Sequence, residues 1–192
     1  MKGIFIFLSQ GFEDMEALGT RDVLLRGGVP VQTVSITDDY AVESSHGLTV
    51  FADLNRADFQ EVLQQQDGTS RDDVMVFPGG MPGSRHLAED YALVEAMKAH
   101  YAQGGTVAAI CAAPGLVVSQ LSPLSGMRFT CFDGFEAPME AKGAVFTPES
   151  TVTDGRIITG RGAGHAVNFG LAILRYLKGD EAVEKVRSGL ML

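Results

Sequence analysis

The sequence predicts an α/β domain built around a mostly parallel sheet with helices on both faces. Two observations carry that prediction. Short continuous apolar runs such as Ile4-Phe-Ile-Phe-Leu8 and Val74-Met-Val-Phe77 alternate with longer stretches of helical period, and the apolar runs end in glycine, proline or small residues. A strand covered on both faces loses the alternation of a half-exposed one, and βαβ units produce this order of segments. At 192 residues the chain has the size of one such domain. No repeat, low-complexity tract or Pro/Ser-rich linker divides it, so 1–192 reads as a single unit.

The first strand falls at 4–8. Gly11 then turns the chain, and Glu13 to Arg26 carry Met15, Leu18, Val23 and Leu25 as a stripe for burial, closed by Gly27-Gly28. Val29 to Ile36 read as the second strand and Leu48 to Phe51 as a short one. Phe59, Val62 and Leu63 mark a small amphipathic helix, and 64–73 is a polar loop. The strand over 73–77 runs straight into Pro78-Gly79-Gly80, and Tyr91 to Ala102 form a helix. After a further strand, Val107 to Ile110, a helix can start at Pro114 and run to Leu121, because proline is tolerated in a first turn. Asp154-Gly155 between two β-rich runs signals a hairpin near residue 155. A helix over 162–176 and a short one over 181–186 complete the chain.

Charge and cysteine usage narrow the partners. Fifteen basic against 24 acidic side chains leave a net charge of −9, which disfavours nucleic acid and anionic membranes, since both need a basic patch. The apolar start at 4–8 is too short for a signal sequence, and nothing approaches the roughly 18 consecutive apolar residues of a membrane helix. Two cysteines, Cys111 and Cys131, make neither a disulfide framework nor a Cys-x-x-Cys metal pattern. The chain therefore reads as a reduced, cytoplasmic protein with no metal and no cofactor. His86 and His100 sit in helical, polar surroundings and are expected at the surface, and the methionines are expected as core filler.

The chemistry is expected at Cys111. A cysteine on the sharp turn between the 107–110 strand and the next helix projects its sulfur from the sheet edge, and such a turn needs small neighbours, here Ala109 and Ala113. The positive end of the helix is expected to lower the thiol pKa and favour the thiolate. A buried inert cysteine is the competing reading. In an open α/β sheet the crevice lies at the carboxyl ends of the strands. Residues 9–16, 78–83 and Cys111 therefore converge there. Bare backbone at Gly79 and Gly80, with the amide of Ala112 at the elbow, offers donors for an oxyanion. Glu16, turned inward, would be a carboxyl beside a thiol, and two such groups disfavour simultaneous ionisation. Most glutamates at helix starts instead face water. Cys131 fits either a resolving thiol or, more commonly, a buried strand cysteine.

Four blocks in order, Gly11-Phe-Glu-Asp-Met-Glu16, Val74 to Gly80, Ala108-Ala-Ile-Cys-Ala-Ala-Pro114, and Gly160-Arg-Gly-Ala-Gly164 followed by Phe169-Gly-Leu-Ala-Ile-Leu174, resemble the ThiJ/PfpI superfamily. They are most similar to the branch that includes a Parkinson-linked deglycase and chaperone. The resemblance runs nearly end to end. It implies a flavodoxin-like three-layer sandwich of the class I glutamine amidotransferase type, usually a homodimer. It matches Cys111 to the reactive cysteine, Glu16 to a protonated glutamate hydrogen-bonded to the sulfur, and Gly79 and Gly80 to a loop of backbone donors. It also places Arg26 where relatives carry an arginine near the dimer seam, and His46 where some have another arginine. A histidine there is a cation only at lower pH.

Departures from the family pattern sort the activities. Peptidase members carry a histidine after the cysteine, where this chain has Ala112. Amidotransferases pair a late histidine with a carboxylate, whereas His165 is followed by Ala166-Val167. Where one relative has an active-site histidine, this chain reads Thr130-Cys131-Phe132-Asp133, and Phe132 cannot shuttle a proton. The resemblance implies a cysteine-dependent enzyme acting on small carbonyl compounds or glycated proteins, of the glyoxalase or deglycase type. A non-catalytic oxidative-stress sensor or chaperone using the same cysteine is the alternative. A thiazole-biosynthesis role has no derivable site. The segment 132–148 reads as a rim or lid over the crevice, with a plain surface excursion as the alternative.

Overall fold

In the computed structural model, which describes residues 1–65 and 68–192, all five residues of β1 (Ile4–Leu8) are buried. Ile4, Ile6 and Leu8 enter one core, Phe5 and Phe7 the other, as successive side chains of a doubly covered strand must. A π-helical turn (Met15–Gly19) leads into α1 (Thr20–Arg26) and then β2 (Gln32–Ser35). β3 (Ala41–Glu43) and β4 (Thr49–Phe51) make a separate antiparallel hairpin. There follow α2 (Arg56–Gln64), β5 (Val74–Phe77), α3 (Gly83–Glu89), α4 (Tyr91–Ala102), β6 (Thr106–Ile110) and α5 (Ala113–Leu116). The chain continues through β7 (Arg128–Phe129), α6 (Ala137–Glu140) and β8 (Val145–Phe146) to β9 (Thr151–Asp154), β10 (Ile157–Gly160) and α7 (Ala166–Gly189).

The six-stranded sheet is ordered β2-β1-β5-β6-β10-β9, parallel throughout except for β9, which pairs antiparallel with β10. On one face Phe7 stacks on Phe77 at 5.3 Å between centroids and meets Phe59 of α2 edge-on at 4.9 Å. Leu93, Val94 and Met97 of α4 extend that core. On the other face Val23 and Leu24 of α1 and Phe169, Ile173 and Leu174 of α7 pack on Ile6, Val76 and Ile110. The arrangement is the three-layer sandwich expected from the sequence, with the hairpin turning at Gly155. Among the described residues no helix is long and apolar enough to cross a membrane.

The departures have local causes. The expected stripe over 13–26 is out of phase: Val23 is buried, but Met15 and Leu25 are exposed. The wider π turn at Met15–Gly19 breaks the 3.6-residue count and buries Glu16 and Ala17 instead. β2 begins at Gln32, two residues past Pro30, which has no amide to give a ladder. The helix expected at 114–121 is α5 followed by a 3₁₀ turn at Val118–Gln120. The helices expected over 162–176 and 181–186 are two halves of α7, separated where Gly179 takes a φ of 80°. β3, α3, α6 and the β7–β8 pair are not expected from the sequence, being too short to show a period. Gln66 and Asp67, within the expected polar loop, lie outside the described residues.

His100 is a second correction, since it is buried rather than exposed. Its Nε2 donates to the carbonyls of Asp73 and Thr106, each at 3.1 Å, and its ring lies on Gly105, where any Cβ would collide with it. Burial lowers its pKa below the ordinary value, and the first chain nitrogen adds to the effect, against the two carbonyl contacts. The unfolded chain thus takes up a proton that the fold refuses, so stability falls as pH drops through and below the ordinary histidine range. Glu16, whose carboxyl is raised, works in the opposite direction. The urea midpoint of the wild type is therefore expected to fall more between about pH 7.5 and about pH 5.5 than that of His100→Asn, which cannot titrate. Equal slopes would remove His100 from the account.

Candidate active site

Cys111 follows β6 with a φ of 65°, a left-handed conformation uncommon for a residue with a Cβ. Its own amide donates to Gly160 O at 3.0 Å, and its carbonyl accepts from Phe132 N at 2.9 Å. The end of β10 and the segment that follows β7 thus hold the turn. Ala109, Ala112 and Ala113 are buried and leave room for it, while the cysteine itself is half-buried. The cysteine thus stands at the carboxyl end of a central strand.

Glu16 comes to the same place from the π turn and is 1% exposed. Its Oε2 accepts the Gly79 amide at 2.7 Å, and the Cys111 thiol lies against the same glycine, near enough to act on the carboxyl's titration. The Pro78-Gly79-Gly80 loop wedges between them. Gly80 has a φ of +90°, and a Cβ there would lie 2.5 Å from Glu13 N and Gly11 O, so only glycine brings these two loops together. The loops are also laced by Glu13 N donating to Gly79 O at 3.0 Å and Ser9 Oγ donating to Gly83 O at 2.8 Å.

Burial pushes the Cys111 thiol up to about 12, and the charge and hydrogen bond of Glu16 add to the rise. The amides of Gly80 and Ala112 donate toward the sulfur and oppose it. Burial likewise raises Glu16 to about 7, against hydrogen bonds from the thiol and the Gly79 amide, with the charge of Glu13 raising it further. Two adjacent groups that exclude a second negative charge titrate as one unit. The first proton leaves near 7 and the second near 12. Burial and mutual repulsion thus disfavour charge on both groups at once. Glu16 Oε1 is buried with no hydrogen-bond partner among the described residues, a costly state for a carboxylate oxygen that a proton on it relieves. The expectation that a helix N-terminus lowers the thiol pKa is thereby corrected: α5 has only four residues, and the acid alongside outweighs its dipole.

The other expected residues divide. Gly79 is not a free oxyanion donor, because Glu16 occupies its amide, which leaves Gly80 and Ala112 for that task. Arg26 ends α1 just before β2, which runs parallel to β1. It therefore lies at the amino ends of the strands, across the sheet from Cys111, and pairs with Asp22 at 2.6 Å. Arg26 therefore lies outside the site around Cys111. His46 lies on the β3–β4 hairpin, which crosses the first loop through Gly11 N to Glu43 O and Ser45 N to Phe12 O, both 2.8 Å. Its Nδ1 is 2.6 Å from Asp14 Oδ2, and that contact raises its pKa. The pairing sustains the cation but also neutralises it. His165 is half-buried in the turn before α7 and makes no side-chain hydrogen bond to Cys111 or Glu16 among the described residues.

Glu13, Asp14 and His46 offer ligand atoms within 4.8 Å of one another. Those atoms already serve each other and the Glu16 amide, which donates to Glu13 Oε2 at 2.7 Å. Cys131 is buried and raised to about 12, chiefly by burial. The segment 132–148 borders the elbow as a rim: Phe132 bonds the Cys111 carbonyl, and the Phe135 carbonyl presses on Gly115 of α5. Glu13 is the residue the sequence reading passed over. Its side chain caps the Glu16 amide, a role that no pattern in the sequence marks.

Comparison with known proteins gives a consistent result. A family model described as the DJ-1/PfpI family matches residues 2–176. The curated Drosophila melanogaster protein dj-1beta is 31% identical over 191 residues, covering 100% of this chain and 97% of that one. Its crystal structure superposes with a TM-score of 0.86 at 30% identity, over 100% of this chain and 98% of that one. A Caenorhabditis elegans protein named glutathione-independent glyoxalase DJR-1.2 is 29% identical, covering 94% of this chain and 90% of its own length. The solved structure of oxidized Toxoplasma gondii DJ-1 gives a TM-score of 0.86 at 28% identity, over 98% of this chain and 97% of that one. Against two longer Arabidopsis thaliana homologues the chain spans 47% and 42% of their length.

Proposed function

The chain belongs to the DJ-1/PfpI family, and from that premise we propose that it is a cysteine-dependent enzyme that detoxifies small reactive carbonyls such as methylglyoxal, or the adducts they form on proteins. The observation that carries the reading is a half-buried cysteine held in left-handed backbone beside a buried carboxyl of raised pKa, and in this reading the two share one proton. With the proton on Glu16, the sulfur attacks the aldehyde carbon and forms an S–C bond. The carbonyl electron pair moves to oxygen, where the amides of Gly80 and Ala112 lie within the site and Glu16 supplies the proton. Glu16, now a carboxylate, removes the proton from the former aldehyde carbon and returns it to the adjacent one, while the hydroxyl proton on the first carbon passes to the oxygen of the second, so that the enediol between them closes to a thioester. Water then cleaves the resulting thioester, giving the hydroxy acid and regenerating the thiol. The relative named a glyoxalase supports this choice of substrate. The reading takes the protein as cytoplasmic and homodimeric, with no metal, cofactor, nucleic-acid or membrane partner.

A second reading uses the same atoms as a sensor or chaperone. Peroxide oxygen is transferred to the thiolate in two steps, giving a sulfinate that protonated Glu16 stabilises by a hydrogen bond. The oxidized Toxoplasma relative favours keeping it in view. The peptidase reading finds no base beside the sulfur, where Ala112 stands. Incubation with methylglyoxal, following hydroxy acid, decides the first reading: wild type is expected to form product well above the Cys111→Ser rate, and equal rates would refute it. A gain of two oxygens at Cys111 under peroxide, suppressed in Glu16→Gln, would in that event support the sensor.

A further inference from the structure

The Glu16 carboxyl is held by more than its own contacts. Three hydrogen bonds close a ring around it: Glu16 N donates to Glu13 Oε2 at 2.7 Å, Glu13 N donates to Gly79 O at 3.0 Å, and Gly79 N donates to Glu16 Oε2 at 2.7 Å. Two loops meet in this ring, and Glu13 supplies both an acceptor and a donor to it. We propose that Glu13 is a positioning residue for the shared-proton site, fixing Glu16 through the ring while its negative charge keeps the proton on the Cys111–Glu16 pair. The proposal rests on the reading of that pair given above.

The two roles of Glu13 rest on separable chemistry. As an acceptor it satisfies the amide of Glu16 at the start of the π turn, a position where a backbone N–H has no partner within its own helix. As a charge it disfavours a further anion nearby, and it acts on Glu16 in that direction. The titratable groups that shift Glu16 are Cys111 and Glu13. Asp14 and His46 on the flanking loops, and His165 on the turn packed against the π turn, are retained in every variant considered. Among the described residues Glu13 makes its hydrogen bonds to Glu16 and Gly79 and none to the sulfur, so its influence passes through Glu16.

Glutamine at position 13 keeps an acceptor for the Glu16 amide and loses the charge, whereas alanine loses both. The pH dependence of Cys111 carboxymethylation, read by intact mass, is expected to move to lower pH in Glu13→Gln, since removing a negative charge eases the first deprotonation. In Glu13→Ala the same move is expected together with a rate loss of about tenfold or more at every pH, because the ring opens and the carboxyl is misplaced. Glutamine should restore most of that loss. A wild-type profile in Glu13→Gln, or equal plateau rates in the Gln and Ala variants, overturns the proposal. Carboxymethylation needs no turnover, so this result stands apart from whether methylglyoxal is a substrate. Should Glu13→Ala fail to fold, the Glu13→Gln profile alone decides.

Discussion

Gly79→Ala is expected to lower both Cys111 carboxymethylation and methylglyoxal turnover by about a hundredfold or more. The added Cβ would lie 2.5 Å from Cys111 Cβ and 2.9 Å from its sulfur, and it would also run into Glu16 Oε2. Atoms do not rest that close, so either the sulfur or the carboxyl must leave its place. Gly79, unlike Gly80, is not in the left-handed region, and alanine meets no backbone strain there. The loss is thus one of space inside the site, and thermal unfolding is expected to move much less than activity does. Near wild-type reactivity in a folded Gly79→Ala would mean that the thiol and carboxyl are not held against this loop.

Glu16→Gln is expected to cut turnover by about a hundredfold or more, the usual scale for losing a positioned acid and base. Glutamine fills the same volume and still offers an oxygen to the Gly79 amide. What it lacks is a proton to give to the nascent alkoxide and a carboxylate to take one back. The loss is expected in kcat rather than KM, since no substrate contact is removed. A Glu16→Gln enzyme with wild-type kcat would rule out the proton relay and leave the carboxyl as a structural feature.

The elbow was legible because its physics is local. An apolar block ending at Cys111 among alanines specifies a buried strand followed by a tight turn, and the structure adds only the φ of 65°. The hairpin at Gly155 and the break at Gly179 were legible for the same reason, as glycines placed between regular segments. Glu16 was not derivable from its position. Its burial depends on a π turn, and that turn is fixed by contacts with a loop more than sixty residues away, at Gly79. Only the family resemblance pointed inward. Gly79 and Gly80 are indistinguishable in a sequence, yet one amide serves Glu16 and the other faces the sulfur. His100 misled because a histidine in a helical stretch looks exposed until Gly105 is folded beneath it.

The central claim is that Cys111 and Glu16 share one proton. The most direct measurement is the pH dependence of the Cys111 carboxymethylation rate in wild type and Glu16→Gln, read by mass at that residue. The account predicts a step near 7 in the wild type, set by the first deprotonation of the pair, and its loss or displacement in Glu16→Gln. Superimposable profiles would mean that the two groups titrate independently, which would contradict it.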